Sequence, residues 1–415
     1  MSHSHLPVDD SSLGRSELRR RTAVRRRAVV LLSWILAPLA ALTLVGMLLL
    51  WPGDSSSSPI AGNPYTAAPG AAILTGTVQR TSTENCPGSA QKSQSCFIAH
   101  TSVQGGGEVP VVVTPDIVQT RGVKVGEGIR YLKLPAMPAG LEAMGPQFVF
   151  MDFVRTVPLG LLAVLYAVVV IAVARWRGLR AMVGLGGAFA VLAWFILPAL
   201  AQGKPPLLVA VVGSSAIMFG VLYFAHGFSA RTSTALLGTL FGLAATAGLA
   251  AWAVDAAALT GSTGDNAYQL LNLTQGMSLS GMILCGLIIS GLGVLNDVTI
   301  TQSSAVWELY ELAPQTSALT LFRSAMRIGR DHIASTVYTI AFAYAGSALP
   351  VLLLVSLYDR PLLDALTSSE LAEEVVRILV GSIGLVLAIP VTTAVAVAVV
   401  KATGKQEAAA PALAN

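Results

Sequence analysis

Long apolar runs recur along the chain, and they limit it to folds that cross a membrane several times. Each run can span a hydrocarbon core of about 30 Å as a helix, which satisfies its own backbone hydrogen bonds. Only 12% of the residues are charged, against about 25% in soluble domains. We therefore predict an all-α membrane protein of about eight transmembrane helices, at 29–51, 155–174, 181–199, 206–225, 234–254, 277–297, 337–357 and 377–400.

The basic residues predict the orientation of these helices. Seven arginines lie between Arg15 and Arg27, just before the first apolar run, and a tract in that place usually stays in the cytoplasm beside anionic lipid. We do not read it as a nucleic-acid site. The loops expected on the same side carry Arg175, Arg177, Arg180, Arg231, Arg323, Arg327, Arg330, Lys401 and Lys405. An even number of helices then places both termini in the cytoplasm.

The same reasoning divides the chain into five parts. They are a basic cytoplasmic tail at 1–28, a first transmembrane helix at 29–51, an extracytoplasmic linker with a small β domain at 52–150, a seven-helix membrane domain at 151–400 containing a cytoplasmic amphipathic segment at 298–335, and a cytoplasmic tail at 401–415.

The segment 52–150 is the only sizeable soluble piece of the predicted fold. Four strand-like stretches, "AAILTGTVQR", "CFIAHTSVQ", "EVPVVVT" and "GIRYLKL", are separated by turn-forming residues, which predicts a small antiparallel β barrel or sandwich. Cys86 and Cys96 fall in this segment, on the side of the membrane where disulfides persist. We expect them to pair; the alternative is two separate thiols, and no suitably spaced histidine supports a metal site.

The stretch "GVLNDVTITQSSAVWELYE" places polar side chains directly after an apolar run. At 100° per residue, one helical face gathers Asp297, Thr301, Ser304, Glu308 and Glu311. Ionisable groups at membrane depth usually face a bundle interior or water and serve a function. We predict Asp297 as a protonatable group on such an interior path, with Thr299, Thr301, Gln302 and Ser304 lining it. For Glu308 the alternative is a solvated helix face.

Glycines precede Asp297 at several positions of the same predicted helix. Gly286, Gly291 and Gly293 would let a neighbouring helix backbone approach closely, or let the helix break. Together with Gly281 they are predicted to make this helix a packing centre.

A second polar cluster lies in "LFRSAMRIGRDHIAST". Arg323, Arg327 and Arg330 share one helical face, and Asp331 follows Arg327 by four residues. One interpretation is an amphipathic helix whose arginines hold lipid headgroups. The other pairs Arg327 or Arg330 with an acid of the Asp297 face.

No phosphate-binding loop, His-Glu metal motif or nucleophile elbow occurs in the chain. We therefore expect no enzyme activity, no cofactor and no metal. The expected partners are the lipid bilayer, an unknown small solute or ion, and a protein that binds the outer domain.

Three stretches resemble the YibE/F-like family of bacterial polytopic membrane proteins. They are "DFVRTVPLGLLAVLYAVVVIAVARWRGLRAMVGL", "GLIISGLGVLNDVTITQSSAVWEL" and "LFRSAMRIGRDHIASTVYTIAFAYAGSALPVLLL". The resemblance implies a multi-pass protein of a bacterial plasma membrane, and it brings no established substrate. A fainter likeness to resistance-nodulation-division transporters implies Asp297 as a proton carrier, with Thr301, Thr336 or Arg330 as partners.

Two functions remain open from the sequence. The first is an ion (proton)-coupled secondary transporter or permease-like protein, with Asp297 at its centre. The second is a non-transporting scaffold or accessory factor whose outer β domain binds a partner. The second is favoured by the near absence of other acids in the middle of the predicted spans.

Overall fold

A computed structural model describes residues 15–53, 68–86, 95–103, 106–135, 147–262, 267, 270, 277–357 and 361–408. The chain forms two compact units, one from residues 60–173 and one from residues 1–59 and 174–415. Residues 54–67 of the predicted linker and residues 409–415 of the predicted tail lie outside the described part.

The smaller unit is built around a five-stranded sheet. Its strands are β1 (Ala72–Asn85), β2 (Ser95–Ser102), β3 (Glu108–Val113), β4 (Gly128–Lys133) and β5 (Phe148–Phe153). Strand β1 is long enough to pair antiparallel with β4 through one half and with β2 through the other. The strand order is β1-β2-β3-β5-β4, and a single parallel pair, Val112 with Val149, closes the circuit between β3 and β5.

Alternation along the strands turns one face of this sheet inward. The buried core includes Val78, Ala99, Val111, Ile129 and Tyr131, as expected for half-buried strands with a side-chain period of two. A short helix, α2 (Pro115–Thr120), follows β3. Four strands match the sequence prediction, whereas β5 was missed, and it crosses residue 150, where the prediction ended the domain.

A disulfide joins Cys86, just after β1, to Cys96 in β2, with the two Cα atoms 4.8 Å apart. The register places Cys96 opposite Glu84, so the bridge fastens the end of this strand pair. Cys285 is the one other cysteine of the chain, and it is buried.

The remaining elements are helices. They are α1 (Arg15–Leu50), α3 (Thr156–Val191), a π-helical turn (Leu192–Ile196), α4 (Leu197–Ala201), α5 (Pro206–His226), α6 (Ala230–Ala256), α7 (Leu279–Ser290), α8 (Leu292–Leu312), α9 (Ala318–Ser347), α10 (Leu349–Leu357), α11 (Leu362–Leu366) and α12 (Ser369–Ala408).

Within the described residues, six helices are long and apolar enough to cross a membrane. A seventh span is reached if α9 and α10, which meet at a bend of 66°, count as one. The prediction of eight exceeds this number because its spans at 155–174 and 181–199 fall in one helical run, Thr156–Ala201. Arg175 interrupts that run with a non-helical backbone (φ 53°, ψ −133°), and eight spans require this break to separate two of them.

Helix α12 packs against α6, α8 and α9, and α6 also packs against α8. Small residues allow these close approaches. A Cβ atom at Gly242 would lie 2.7 Å from Leu295 Cδ2 and 3.0 Å from Ala388 Cβ, and Gly238 and Gly384 are crowded by Thr392 and Thr246.

The prediction of a glycine packing centre is met in part. Gly281 is crowded by Pro206 of α5, and the helix is interrupted at Gly291, between α7 and α8. Among the described residues, no atom of another helix lies within 4 Å of a Cβ built on Gly286 or Gly293, and Gly291 has only ordinary contacts at 3.7 Å and beyond. Gly293 lies on an exposed face of α8, whereas crowded glycines such as Gly238 and Gly384 face a neighbouring helix.

Candidate functional site

The inner face of α8 carries three polar side chains into the bundle. Thr299 and Ser303 are fully buried, and Gln302 is 1% exposed. The apolar neighbours Leu295 and Val306 share this face and are buried too. Packing of these apolar residues against α6 and α12 therefore carries the intervening polar side chains inward.

Thr299 makes a hydrogen bond between helices. Its hydroxyl lies 2.6 Å from the Thr239 hydroxyl of α6. Each hydroxyl has one hydrogen, so one threonine donates to the other, and that other donates to a carbonyl of its own helix, Leu295 for Thr299 or Ala235 for Thr239. Because both groups are completely buried, this contact is shielded from water.

Gln302 connects three helices through its amide nitrogen. The Nε2 atom donates to the Thr393 hydroxyl of α12 at 2.7 Å and to the Ala325 carbonyl of α9 at 3.0 Å. Gly329 leaves the space for this amide, since a Cβ there would lie 3.0 Å from Gln302 Oε1. We call Thr239, Thr299, Gln302 and Thr393 the polar layer.

One acceptor of the polar layer is unused. Gln302 Oε1 is buried and no donor of the described residues reaches it. A buried carbonyl oxygen without a partner is uncommon in folded proteins, and it can accept a hydrogen bond from a bound solute, a water or a protonated species.

Below the polar layer, α8 is tied to the start of α6. Ser303 donates to the Arg231 carbonyl at 2.8 Å. The Arg231 side chain forms an ion pair of 3.1 Å with Glu308, and both side chains are more than a third exposed. Glu308 therefore lies on the surface at this end of the bundle. This agrees with the alternative interpretation, in which Glu308 belongs to a solvated helix face.

The face of α8 that was predicted to line an interior path is the outer face in the structure. Asp297 and Glu308 are exposed, and Thr301 and Ser304 are half-buried. The predicted grouping on one face is correct, but that face points away from the bundle. Asp297 and Thr299 are two residues apart and so about 200° apart around the helix, which is why the predicted path residues divide between two faces.

The arginines of α9 also lie on the surface. Arg327, Arg330 and Asp331 are exposed, and Arg330 Nε donates to the Met326 carbonyl of its own helix at 3.3 Å. Among the described residues, no ion pair joins Arg327 or Arg330 to Asp297. Asp297 of the same chain is therefore not their partner, while pairing with another acid of that face and a role in ion coupling stay predictions.

A cross-strand cluster in the smaller unit was not predicted. His100 is 7% exposed, and its Nε2 atom lies 3.0 Å from Ser82 Oγ and 3.6 Å from Glu84 Oε1. The hydrogen bond from Ser82, more than the neighbouring His100, lowers the pKa of Glu84. Since serine and acid meet the same ring nitrogen, the acid does not orient the histidine toward the serine as a hydrolase triad requires.

At the end of the same unit, Asp152 accepts a hydrogen bond from Arg155 at 2.8 Å. This bond is the main cause of a lowered pKa for the Asp152 carboxyl.

No group of three or more His, Cys, Asp or Glu side chains in the described residues could hold a metal ion.

Comparison with known families identifies the larger part of the chain. The family model described as YibE/F-like protein matches residues 162–402, more than half of the sequence. The chain belongs to the YibE/F-like family. The resemblance predicted from its motifs is thereby confirmed.

Neither a curated protein nor a solved structure matches the chain. The matched residues of this YibE/F-like protein, 162–402, include the whole polar layer. The smaller unit lies almost entirely outside the matched residues. The family and the long apolar helices together indicate a membrane protein.

Proposed function

We propose that this YibE/F-like protein is an ion (proton)-coupled secondary transporter or permease-like protein, and that the polar layer lines its path. The observation that carries the proposal is Gln302. Its amide nitrogen is fixed by two hydrogen bonds to α9 and α12, while no donor in the described part of the chain reaches its buried Oε1 atom.

The position of Gln302 suits a conduction role because three helices meet there. A displacement of α9 or α12 breaks one of its two hydrogen bonds and leaves the other. Polar side chains between membrane helices each contribute only about 0.6–2 kcal/mol, so a change of partner at this site is energetically accessible.

The test is proton flux into proteoliposomes that contain a pH-sensitive dye. We expect wild-type protein to accelerate flux over empty liposomes and Gln302→Leu to abolish the acceleration. Thr301→Val is the matched control, since Thr301 lies on the outer face of α8 and, within the described residues, its hydroxyl bonds only the Asp297 carbonyl of its own helix. Flux through wild-type protein no faster than through empty liposomes contradicts the proposal.

Asp297→Asn, measured in the same assay, locates the proton carrier. A loss of flux in this variant together with normal flux in Gln302→Leu would move the path to the exposed face of α8. Loss of proton flux in both variants would mean that the inner and outer faces of α8 act in the same transport cycle.

A non-transporting scaffold is the second candidate function. It is supported by the polar layer itself, where every member has a hydrogen-bond partner and none is acidic. A photo-crosslinking residue at Val125, which is 62% exposed in the smaller unit, tests this function in the full chain. A specific protein captured there, with normal behaviour of Asp297→Asn, would favour the scaffold.

We also propose a bacterial plasma-membrane location with both termini in the cytoplasm. The support is the arginines of the tract 15–27 and of the predicted loops at 175–180 and Arg231, together with the Cys86–Cys96 bridge, since disulfides persist outside the cytoplasm. Labelling of single cysteines at Arg26 and Leu363 in intact cells tests it: only the second should react with a membrane-impermeant reagent.

A further inference from the structure

Two neighbouring helices present opposite charges on their exposed faces. The outer face of α8 carries Asp297, and the outer face of α9 carries Arg323, Arg327 and Arg330. Asp331 is exposed beside these arginines, so the face of α9 keeps a net positive charge. Among the described residues, Asp297 has no ion-pair partner within 4 Å.

The bundle itself shows how deep Asp297 lies. Thr299 contacts Thr239, which is nine residues after the first residue of α6, Ala230, and so about 14 Å along that helix. Asp297 precedes Thr299 by two residues on α8, and it lies about 3 Å farther than Thr299 from the level of Ala230. In a helix of 27 residues, or about 40 Å, this is the middle third.

Helix α9 brings Arg330 to nearly the same level. Gln302 touches Ala325 and Gly329 of α9, and α9 runs antiparallel to α8. Counting outward from this contact, Arg330 lies within about one helical turn of the level of Asp297. The exposed acid and the exposed base therefore share one layer of the bundle.

We propose that a second copy of this chain covers this surface, with Asp297 of each copy paired to Arg330 of the other. A charge in the middle of a membrane span is costly when it faces lipid and needs a partner. The two faces belong to adjacent helices and complement each other, which is the requirement for a two-fold interface in which the same patch meets itself. Farther along α9, about 12 and 18 Å from the level of Arg330, Tyr338 and Phe342 are 65% and 74% exposed and add apolar area to the exposed side of this helix.

The first test is disulfide crosslinking in native membranes. Two differently tagged full-length copies are expressed together, one with Asp297→Cys and one with Arg330→Cys, and mild oxidation should join them. Background is low because Cys86 and Cys96 are bonded to each other and Cys285 is 2% exposed. Phe241→Cys replaces Asp297→Cys in the control, since Phe241 is 44% exposed on α6 near the same level, and it should give no dimer with Arg330→Cys.

The second test exchanges the charges. Asp297→Arg or Arg330→Glu alone should weaken dimerisation at least tenfold, measured by the concentration dependence of the mass of the protein in lipid nanodiscs. The double variant, Asp297→Arg with Arg330→Glu, should restore the dimer. Protection of Cys285 from a thiol-reactive dye shows that each variant is folded, so loss of the dimer is separated from loss of the fold.

Three outcomes overturn the proposal. They are a wild-type protein that is monomeric in nanodiscs, single charge variants that dimerise as the wild type does, and oxidation products that contain a different protein or none at all. The last would assign the face to another membrane protein or to lipid. The inference does not depend on transport, because a scaffold that dimerises would give the same crosslinks.

Discussion

Helix α8 has two polar faces with opposite surroundings. On the inner face, Thr299 and Gln302 are buried and bonded to α6, α9 and α12. On the outer face, Asp297 is exposed and Thr301 bonds only to its own helix. The residue types are similar, so the difference arises from which face the apolar neighbours Leu295 and Val298 draw inward.

The glycines repeat this contrast. Gly242 is crowded by Leu295 and Ala388, whereas no other described helix has an atom within 4 Å of a Cβ built on Gly293. A small side chain therefore has a packing role only where it faces another helix. Both contrasts can be tested by making the same substitution at a buried position and at an exposed one.

The largest effect is expected at the crowded glycine. Gly242→Val places methyl groups against Leu295 and Ala388 and should lower the free energy of unfolding by about 3 kcal/mol, the upper part of the usual range for overpacking. Gly293→Val should change it by less than about 0.5 kcal/mol, since valine and glycine differ little in helix propensity. Unfolding in detergent is followed by the reaction of buried Cys285 with a thiol dye. Equal losses at the two positions would mean that the outer face of α8 is as tightly packed as the inner face.

A smaller effect is expected at Gln302. Gln302→Leu removes both hydrogen bonds to α9 and α12 and leaves the Ala325 carbonyl and the Thr393 hydroxyl with one partner fewer. The expected loss is about 1–2 kcal/mol in the free energy of unfolding. Ser304→Ala on the outer face is the control and should be nearly neutral. The same dye assay measures both, and a neutral Gln302→Leu would show that the polar layer contributes nothing to stability.

Sequence periodicity predicted much of α8 but not its orientation. The grouping of Asp297, Thr301, Ser304 and Glu308 on one face follows from 100° per residue, and the structure has it. Periodicity cannot say which face meets the bundle when both carry polar residues. Burial is decided by partners distant in sequence, such as Thr239 and the α12 residue Thr393.

Other elements were missed because their local signals were weak. Threonines within apolar runs are common, so Thr239 and Thr393 gave no reason to be singled out. Strand β5, "FVFMDF", lies close before an apolar run and looks like part of it, because short apolar segments do not distinguish strand from helix. Its pairing with β4 supplies the missing information.

The smallest expected effect isolates one hydrogen bond between helices. Thr299→Val and Thr301→Val are identical changes two residues apart, and each removes a hydroxyl within hydrogen-bonding distance of a carbonyl of α8 itself. Only Thr299→Val also removes the contact with Thr239, and such contacts average about 0.6 kcal/mol in membrane proteins. The difference between the two variants in the free energy of unfolding should therefore be about that size. A Thr239→Val, Thr299→Val double variant that loses no more than Thr239→Val alone would show coupling between the two hydroxyls. Strict additivity of the single losses would mean that the contact contributes no stability, and the inner face of α8 would then be held by apolar packing and Gln302.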